Sequence, residues 1–139
     1  MNVVLTKKDL EKIEGCLGKI VSSSSTPLSV LLIDRSGQLI AQKGETPADV
    51  DVMSLAALTA ANFGATAEIA RLLGEEEFTL LFHKGKSENV YFSSVGEHTI
   101  MVTLFNDQTS LGVIRLKMNQ VIGELGSIVS CIFEKGKKS

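Results

Sequence analysis

The segment SLAALTAANFGATAEIARLLGE, residues 54–75, constrains the fold more than any other part of the chain. Its length and residue types are those of one long helix, and many of its side chains are no larger than threonine. Thr46 or Asp49 is expected to cap the start of this helix, and Gly74 is expected to end it. Such a helix has little side chain with which to reach its neighbours, so the question is what packs against it.

Turning the segment through about 100° per residue divides it into three stripes. The leucine-containing stripe is expected to be the core face that lies on a sheet. Its members are Leu55, Leu58, Asn62, Ala65, Ile69, Leu72 and Leu73.

A second, alanine-rich stripe consists of Ala56, Ala60, Phe63, Ala67 and Ala70. Because small residues let two backbones approach closely, this stripe is expected to contact the same helix of a second copy about a two-fold axis. The alternative is that the first or third helix of the same chain covers it.

A third stripe is expected to point outward, and it consists of Ala57, Ala61, Gly64, Glu68 and Arg71. Glycine inside a helix costs about 1 kcal/mol relative to alanine, so Gly64 invites a reason such as the close approach of a partner. The alternative is a solvent-facing helix that tolerates one glycine. The third stripe alone does not decide between them.

The rest of the chain predicts an α+β domain. Thr6 is expected to cap a first helix, and Thr109 or Ser110 a last one. Runs of β-forming residues bounded by turn residues predict strands at Leu28–Asp34, Gln38–Gly44, Phe78–His83, Asn89–Val95 and Thr99–Phe105. The order is helix, two strands, helix, three strands, helix, with one antiparallel sheet. We expect one domain over residues 1–139, with a frayed basic tail at 134–139.

Composition and motifs argue against several functional classes. The formal net charge of −2 provides no extended positive surface for nucleic acid or for a membrane surface. No segment approaches the ~20 apolar residues of a membrane span, and the protein is expected to be cytoplasmic. Phosphate-loop, dinucleotide and nucleophile-elbow motifs are absent, so we expect no catalytic residues and no cofactor. Cys16 and Cys131 are expected to be buried thiols, and neither His83 nor His98 has neighbours at metal-ligand spacing, so no metal is expected.

Three segments together resemble the Roadblock family. They are SLAALTAANFGATAEIARLLGE with the following EEF, then FHKGKSENVYFSSVGEH, then FNDQTSLGVIRLKMNQVIGEL. The resemblance extends from about Leu28 to about Ile132. It implies a five-stranded antiparallel sheet with the long second helix on one face and two helices on the other. It also implies a homodimer that joins second helices and edge strands, through Ala56, Ala60, Phe63, Ala67, Phe78, Leu80 and Phe82.

The bacterial members that this chain resembles act on a Ras-like small GTPase and stimulate its GTP hydrolysis without an active site of their own. The resemblance therefore implies a GTPase-binding surface on the third stripe, at Ala57, Ala61, Gly64, Glu68 and Arg71. An ion pair between Arg71 and Glu68 is expected in preference to an arginine finger. Two other functions stay open: an adaptor of the same fold without effect on hydrolysis, and a small-ligand sensor domain.

Overall fold

The computed structural model of the chain describes residues 5–47, 49–76 and 81–138. The elements follow the predicted order and are α1 (Lys7–Ser22), β1 (Leu28–Asp34), β2 (Leu39–Gly44), α2 (Val52–Leu72), β3 (Leu81–Lys84), β4 (Glu88–Val95), β5 (Thr99–Asn106) and α3 (Leu111–Lys138). The last helix continues past residue 134, where a frayed tail was expected. Glutamate and lysine are good helix formers, and four of the five residues at 134–138 are of these types, although Gly136 is not.

The described strands form a five-stranded sheet in the order β2-β1-β5-β4-β3. All neighbouring strands are antiparallel, and β5 lies between β1 and β4. Side chains alternate between the two faces, as the pleat of a strand requires. Leu32 packs with α1 and α3 on one face, whereas Leu31 and Ile33 pack with α2 on the other. The predicted arrangement of one helix against two is confirmed.

Helix caps fix the ends of these elements. The Thr6 hydroxyl accepts the backbone N–H of Asp9 at 3.0 Å, which confirms the predicted start of α1. At the start of α3, the Ser110 hydroxyl accepts the backbone N–H of Val113 at 3.3 Å. The predicted cap of α2 is wrong, because Asp51 caps it. A turn in which the Val50 N–H donates to the Pro47 carbonyl delays the start of the helix.

Gly74 ends α2 as predicted. Its φ of +80° is the left-handed conformation that favours glycine at this position. The backbone N–H of Glu75 donates to the Ala70 carbonyl at 2.8 Å, and that of Gly74 donates to the Arg71 carbonyl at 3.1 Å. These bonds satisfy carbonyls that the helix end would leave without partners.

Candidate functional site: two exposed faces of the second helix

The face of α2 that lies on the sheet is the alanine-rich one, and the expected assignment of the two faces is therefore wrong. Ala56, Ala60, Phe63 and Ala70 are buried, and Phe63 is only 7% exposed. The strand face beneath carries large side chains, and these fill the space between the layers: Leu31, Ile33, Phe92, Ile100, Val102 and Leu104. Close packing then leaves room mostly for small residues on the helix above, with Phe63 as the one large aromatic side chain of the alanine-rich face.

This burial corrects the predicted dimer interface. Ala56, Ala60 and Phe63 contact the protein's own sheet and are not available to a partner, while Ala67 is exposed. Phe78 and Leu80 lie outside the described residues. Phe82 is half-buried on the α1 and α3 face of the sheet, where its ring stacks on Phe105 with centroids 6.0 Å apart.

Most of the leucine stripe faces outward, whereas Leu55 is half-buried and packs with the sheet as predicted. Leu58 is 70% exposed, Ile69 51% and Leu72 76%. With Asn62 and Ala65, which are also exposed, they form a line that we call the leucine seam. Its positions 58, 62, 65, 69 and 72 follow the alternating three- and four-residue spacing of a helix-pairing seam. A row of large exposed apolar side chains marks a contact surface.

The leucine seam lies on the side of α2 that is nearest to β3. The Asn62 side-chain nitrogen and the His83 Nε2 are 3.3 Å apart, and the His83 ring packs edge-on against Phe92 at 5.3 Å. Within the described part of the chain, β3 is the last strand at this edge of the sheet. An exposed apolar seam and an open strand edge are therefore neighbours, and both are surfaces that second copies use to associate.

A second exposed face of α2, which we call the bare stripe, is the set predicted to point outward. Its members Ala57, Ala61, Gly64, Glu68 and Arg71 are all exposed. A Cβ added to Gly64 would have no neighbour within 4 Å, so packing inside the protein does not require glycine there. The predicted ion pair is present, with the Arg71 Nε 2.7 Å from the Glu68 Oε2. The expected position of this stripe is confirmed, and its role in GTPase binding stays a prediction.

The turn between β1 and β2 borders the bare stripe. The Asp34 carboxylate accepts the backbone N–H groups of Ser36 and Gln38 at 3.0 and 2.9 Å, which closes the turn. Gly37 has a φ of +97°, and its Cβ, if it had one, would lie 2.9 Å from the Cα of Ala57. Sequence reasoning did not predict this contact, because no local signal links a hairpin turn to a helix face so distant in the chain.

The candidate catalytic and metal-binding side chains can be described by their burial and their hydrogen bonds. Burial raises the pKa of the Cys16 thiol, which argues against a nucleophile. Cys131 is exposed, so the expectation that both thiols are buried is wrong for it. Hydrogen bonds from the Ser54 side chain and backbone lower the pKa of the Asp51 carboxyl at the start of α2. Over residues 5–47, 49–76 and 81–138, no group of three or more metal-ligating side chains occurs.

One described helix, α2, is long and apolar enough to cross a membrane by length and composition, contrary to the sequence-based expectation. Its many alanines and only two charged residues raise its mean hydropathy without large side chains. A helix of a soluble protein that packs on a sheet can have the same length and the same apolar composition. Most of α2 is exposed in the single chain.

Comparison with known proteins points to the same family in sequence and in fold. The sequence pattern of the Roadblock/LC7 domain matches residues 21–105. The fold is similar to that of Myxococcus xanthus MglB, with a TM-score of 0.83 and 34% identity, over 94% of this chain and 96% of that one. The gliding protein MglB of Thermus thermophilus superposes with a TM-score of 0.81 and 30% identity, over 91% and 95% of the two chains. A further MglB, solved in a tetrameric arrangement, has a TM-score of 0.82 and 30% identity, over 91% and 94%.

Proposed function

Since this chain belongs to the Roadblock/LC7 family, we propose that it is a homodimeric, cytoplasmic regulator of a Ras-like small GTPase of the MglA type, and that it stimulates GTP hydrolysis by that GTPase. It contributes no active site and no cofactor of its own in this proposal. The observation that supports it best is the presence of two different exposed faces on one helix. One is apolar and lies beside an open strand edge, and the other is bare.

The leucine seam is the surface that we assign to the homodimer. A two-fold axis near Ala65 places two α2 helices side by side in opposite directions, so that Leu58 lies against the partner's Leu72. The same axis, next to β3, allows the open edges of two sheets to meet. The helix residues of this dimer differ from those that the sequence predicted. The elements that form it, the second helix and the edge strand, are the predicted ones. The tetrameric arrangement of one similar MglB supports self-association.

The bare stripe is the surface that we assign to the GTPase. Ala57, Ala61 and Gly64 extend no more than a methyl group from the helix, so a partner can approach its backbone closely. In the dimer, two such stripes lie on either side of the paired seams and form one broad platform. A stimulating dimer holds the GTPase on this platform.

The proposed stimulation does not use an arginine finger from the stripe. A finger contributes about 10³ to 10⁵ in rate when its guanidinium reaches the transferring phosphoryl group. Arg71 is instead ion-paired with Glu68 on its own helix. The role assigned to this chain is therefore to hold the GTPase's own catalytic groups in place.

A single-turnover assay tests this function. The Ras-like GTPase encoded in the same genome is loaded with GTP, and phosphate release is followed with and without a saturating concentration of the dimer. Faster release is expected. An unchanged rate at saturation refutes stimulation, and binding without acceleration would identify a scaffold or adaptor instead.

A further inference from the structure

Arg35, in the turn between β1 and β2, has a guanidinium group that is fixed from three sides. Its Nε donates to the carbonyl oxygen of Glu97, and one terminal nitrogen donates to the Ser94 hydroxyl at 3.1 Å. The central carbon lies 5.2 Å from the centre of the Phe63 ring. The end of β4, the turn before β5 and the helix α2 therefore hold this side chain in one orientation.

The guanidinium of Arg35 has no carboxylate partner among the described residues. The adjacent Asp34 is engaged by the turn itself. A guanidinium carries five N–H donors, and the two hydrogen bonds above use two of them. Arg35 is also exposed. It therefore offers a positive, pre-oriented hydrogen-bond donor to solvent.

Arg35 lies in the turn that borders the bare stripe. Gly37 of the same turn lies against Ala57, the first residue of that stripe. Phe63, under the guanidinium, directly precedes Gly64 in the helix. A protein seated on the stripe approaches the helix backbone closely, because only methyl groups and a glycine separate them. Such a protein also comes next to the turn.

We propose that Arg35 is a specificity-determining contact that binds a carboxylate on the surface of the GTPase. This inference rests on the proposed function of the bare stripe. The planar fork of a guanidinium matches the two oxygens of a carboxylate, and its attraction acts before the surfaces meet. Since the side chain is already held in place, little rotamer freedom is lost when the contact forms. Arg71 differs from Arg35 in that it already has a carboxylate partner, with its Nε 2.7 Å from the Glu68 Oε2.

The test compares Arg35→Lys, Arg35→Gln and Arg35→Glu in the full-length dimer. Association with the GTPase, loaded with a non-hydrolysable GTP analogue, is measured over a series of salt concentrations. Losing a charge at the rim of an interface mainly slows association and flattens its salt dependence. We expect Arg35→Gln to slow association by about 3- to 10-fold at low salt, Arg35→Glu by more than about 10-fold, and Arg35→Lys by the least.

Arg115→Glu is the matched control, because Arg115 is an exposed arginine on α3, on the opposite side of the sheet. It should associate at the wild-type rate apart from a small effect of net charge. Melting temperature and sedimentation of every variant show whether the turn and the dimer persist. A merely structural role would lower the melting temperature and leave the salt dependence unchanged.

Three outcomes overturn the inference, and they are distinguishable. If the wild-type dimer binds the GTPase and Arg35→Glu associates equally fast with the same salt dependence, Arg35 is not a contact and the proposed function is unaffected. If the wild-type dimer itself does not bind, the proposed function and this inference both fall. If Arg35→Glu does not fold, lysine and glutamine variants that both associate at the wild-type rate refute the contact.

Discussion

Truncating Leu72 to alanine should weaken the dimer without weakening the fold. Full burial of a leucine side chain contributes about 1.5–3 kcal/mol. Leu72 is 76% exposed in the single chain, so about three quarters of this gain, or about 1–2 kcal/mol, is still available to a partner. A two-fold dimer contains the residue twice, which gives about 2–4 kcal/mol per dimer. This corresponds to roughly a 30- to 700-fold rise in the dimer dissociation constant.

Sedimentation velocity over a concentration series measures that constant, and far-UV circular dichroism checks that α2 persists, as alanine is a good helix former. Leu116→Ala is the matched control, since Leu116 is 61% exposed on α3 and far from the leucine seam. It should leave the dissociation constant unchanged. A Leu72→Ala dimer as tight as the wild type would refute the assignment of the seam.

Three further changes separate the fold from the surfaces. Phe63→Ala should lower the free energy of unfolding, measured with urea, by about 3–5 kcal/mol, because the ring is buried between α2 and the sheet. Unfolding indistinguishable from the wild type would contradict that packing. Gly64→Arg should leave the dimer intact and weaken GTPase binding by calorimetry at least about tenfold, or about 1.4 kcal/mol. Gly123→Arg is its control, since an added Cβ there also meets nothing within 4 Å, and equal losses in both would remove the bare stripe from consideration. Asp51→Asn should retain the helix cap and alter the pH dependence of thermal stability. Hydrogen bonds from Ser54 lower the folded pKa of Asp51, so the carboxylate stabilises the protein above its unfolded pKa of about 3.9, and this stabilisation is lost as the pH falls below that value through the folded pKa. Wild-type melting temperature should therefore fall more steeply than that of the variant below about pH 4, and parallel curves would show that the carboxylate has no such role.

The sequence predicted the order and type of the elements well, because these depend on local patterns. The strand Leu28–Asp34 has its predicted bounds, and the turn after it forms around Asp34 as turn chemistry requires. Thr6 and Gly74 mark helix ends through bonds within a few residues. The cap of α2 was predicted wrongly because several candidates stand in a row before Asp51. Only the turn after Pro47 decides among them.

The orientation of α2 could not be predicted from its own residues. Hydropathy favours placing leucine inside, and that rule assigned Leu58 and Leu72 to the core. Which face is buried depends on the volume left above the sheet, where Leu31 and Ile33 are already large. The buried face of α2 is therefore set by the helix and the sheet together. The same limit applies to Arg35, whose contacts join two turns and a helix that are distant in sequence.

The burial of the alanine face has a consequence for the order of events in assembly. One chain completes the layer between α2 and the sheet by itself, so we expect folding to require no second copy. Residues that hold the single chain together and residues that recruit a neighbour are then different, and substitutions in one set need not disturb the other. Strong dilution should therefore yield a folded single chain with exposed leucines. Such a species should adhere to other apolar surfaces more readily than the proposed dimer does.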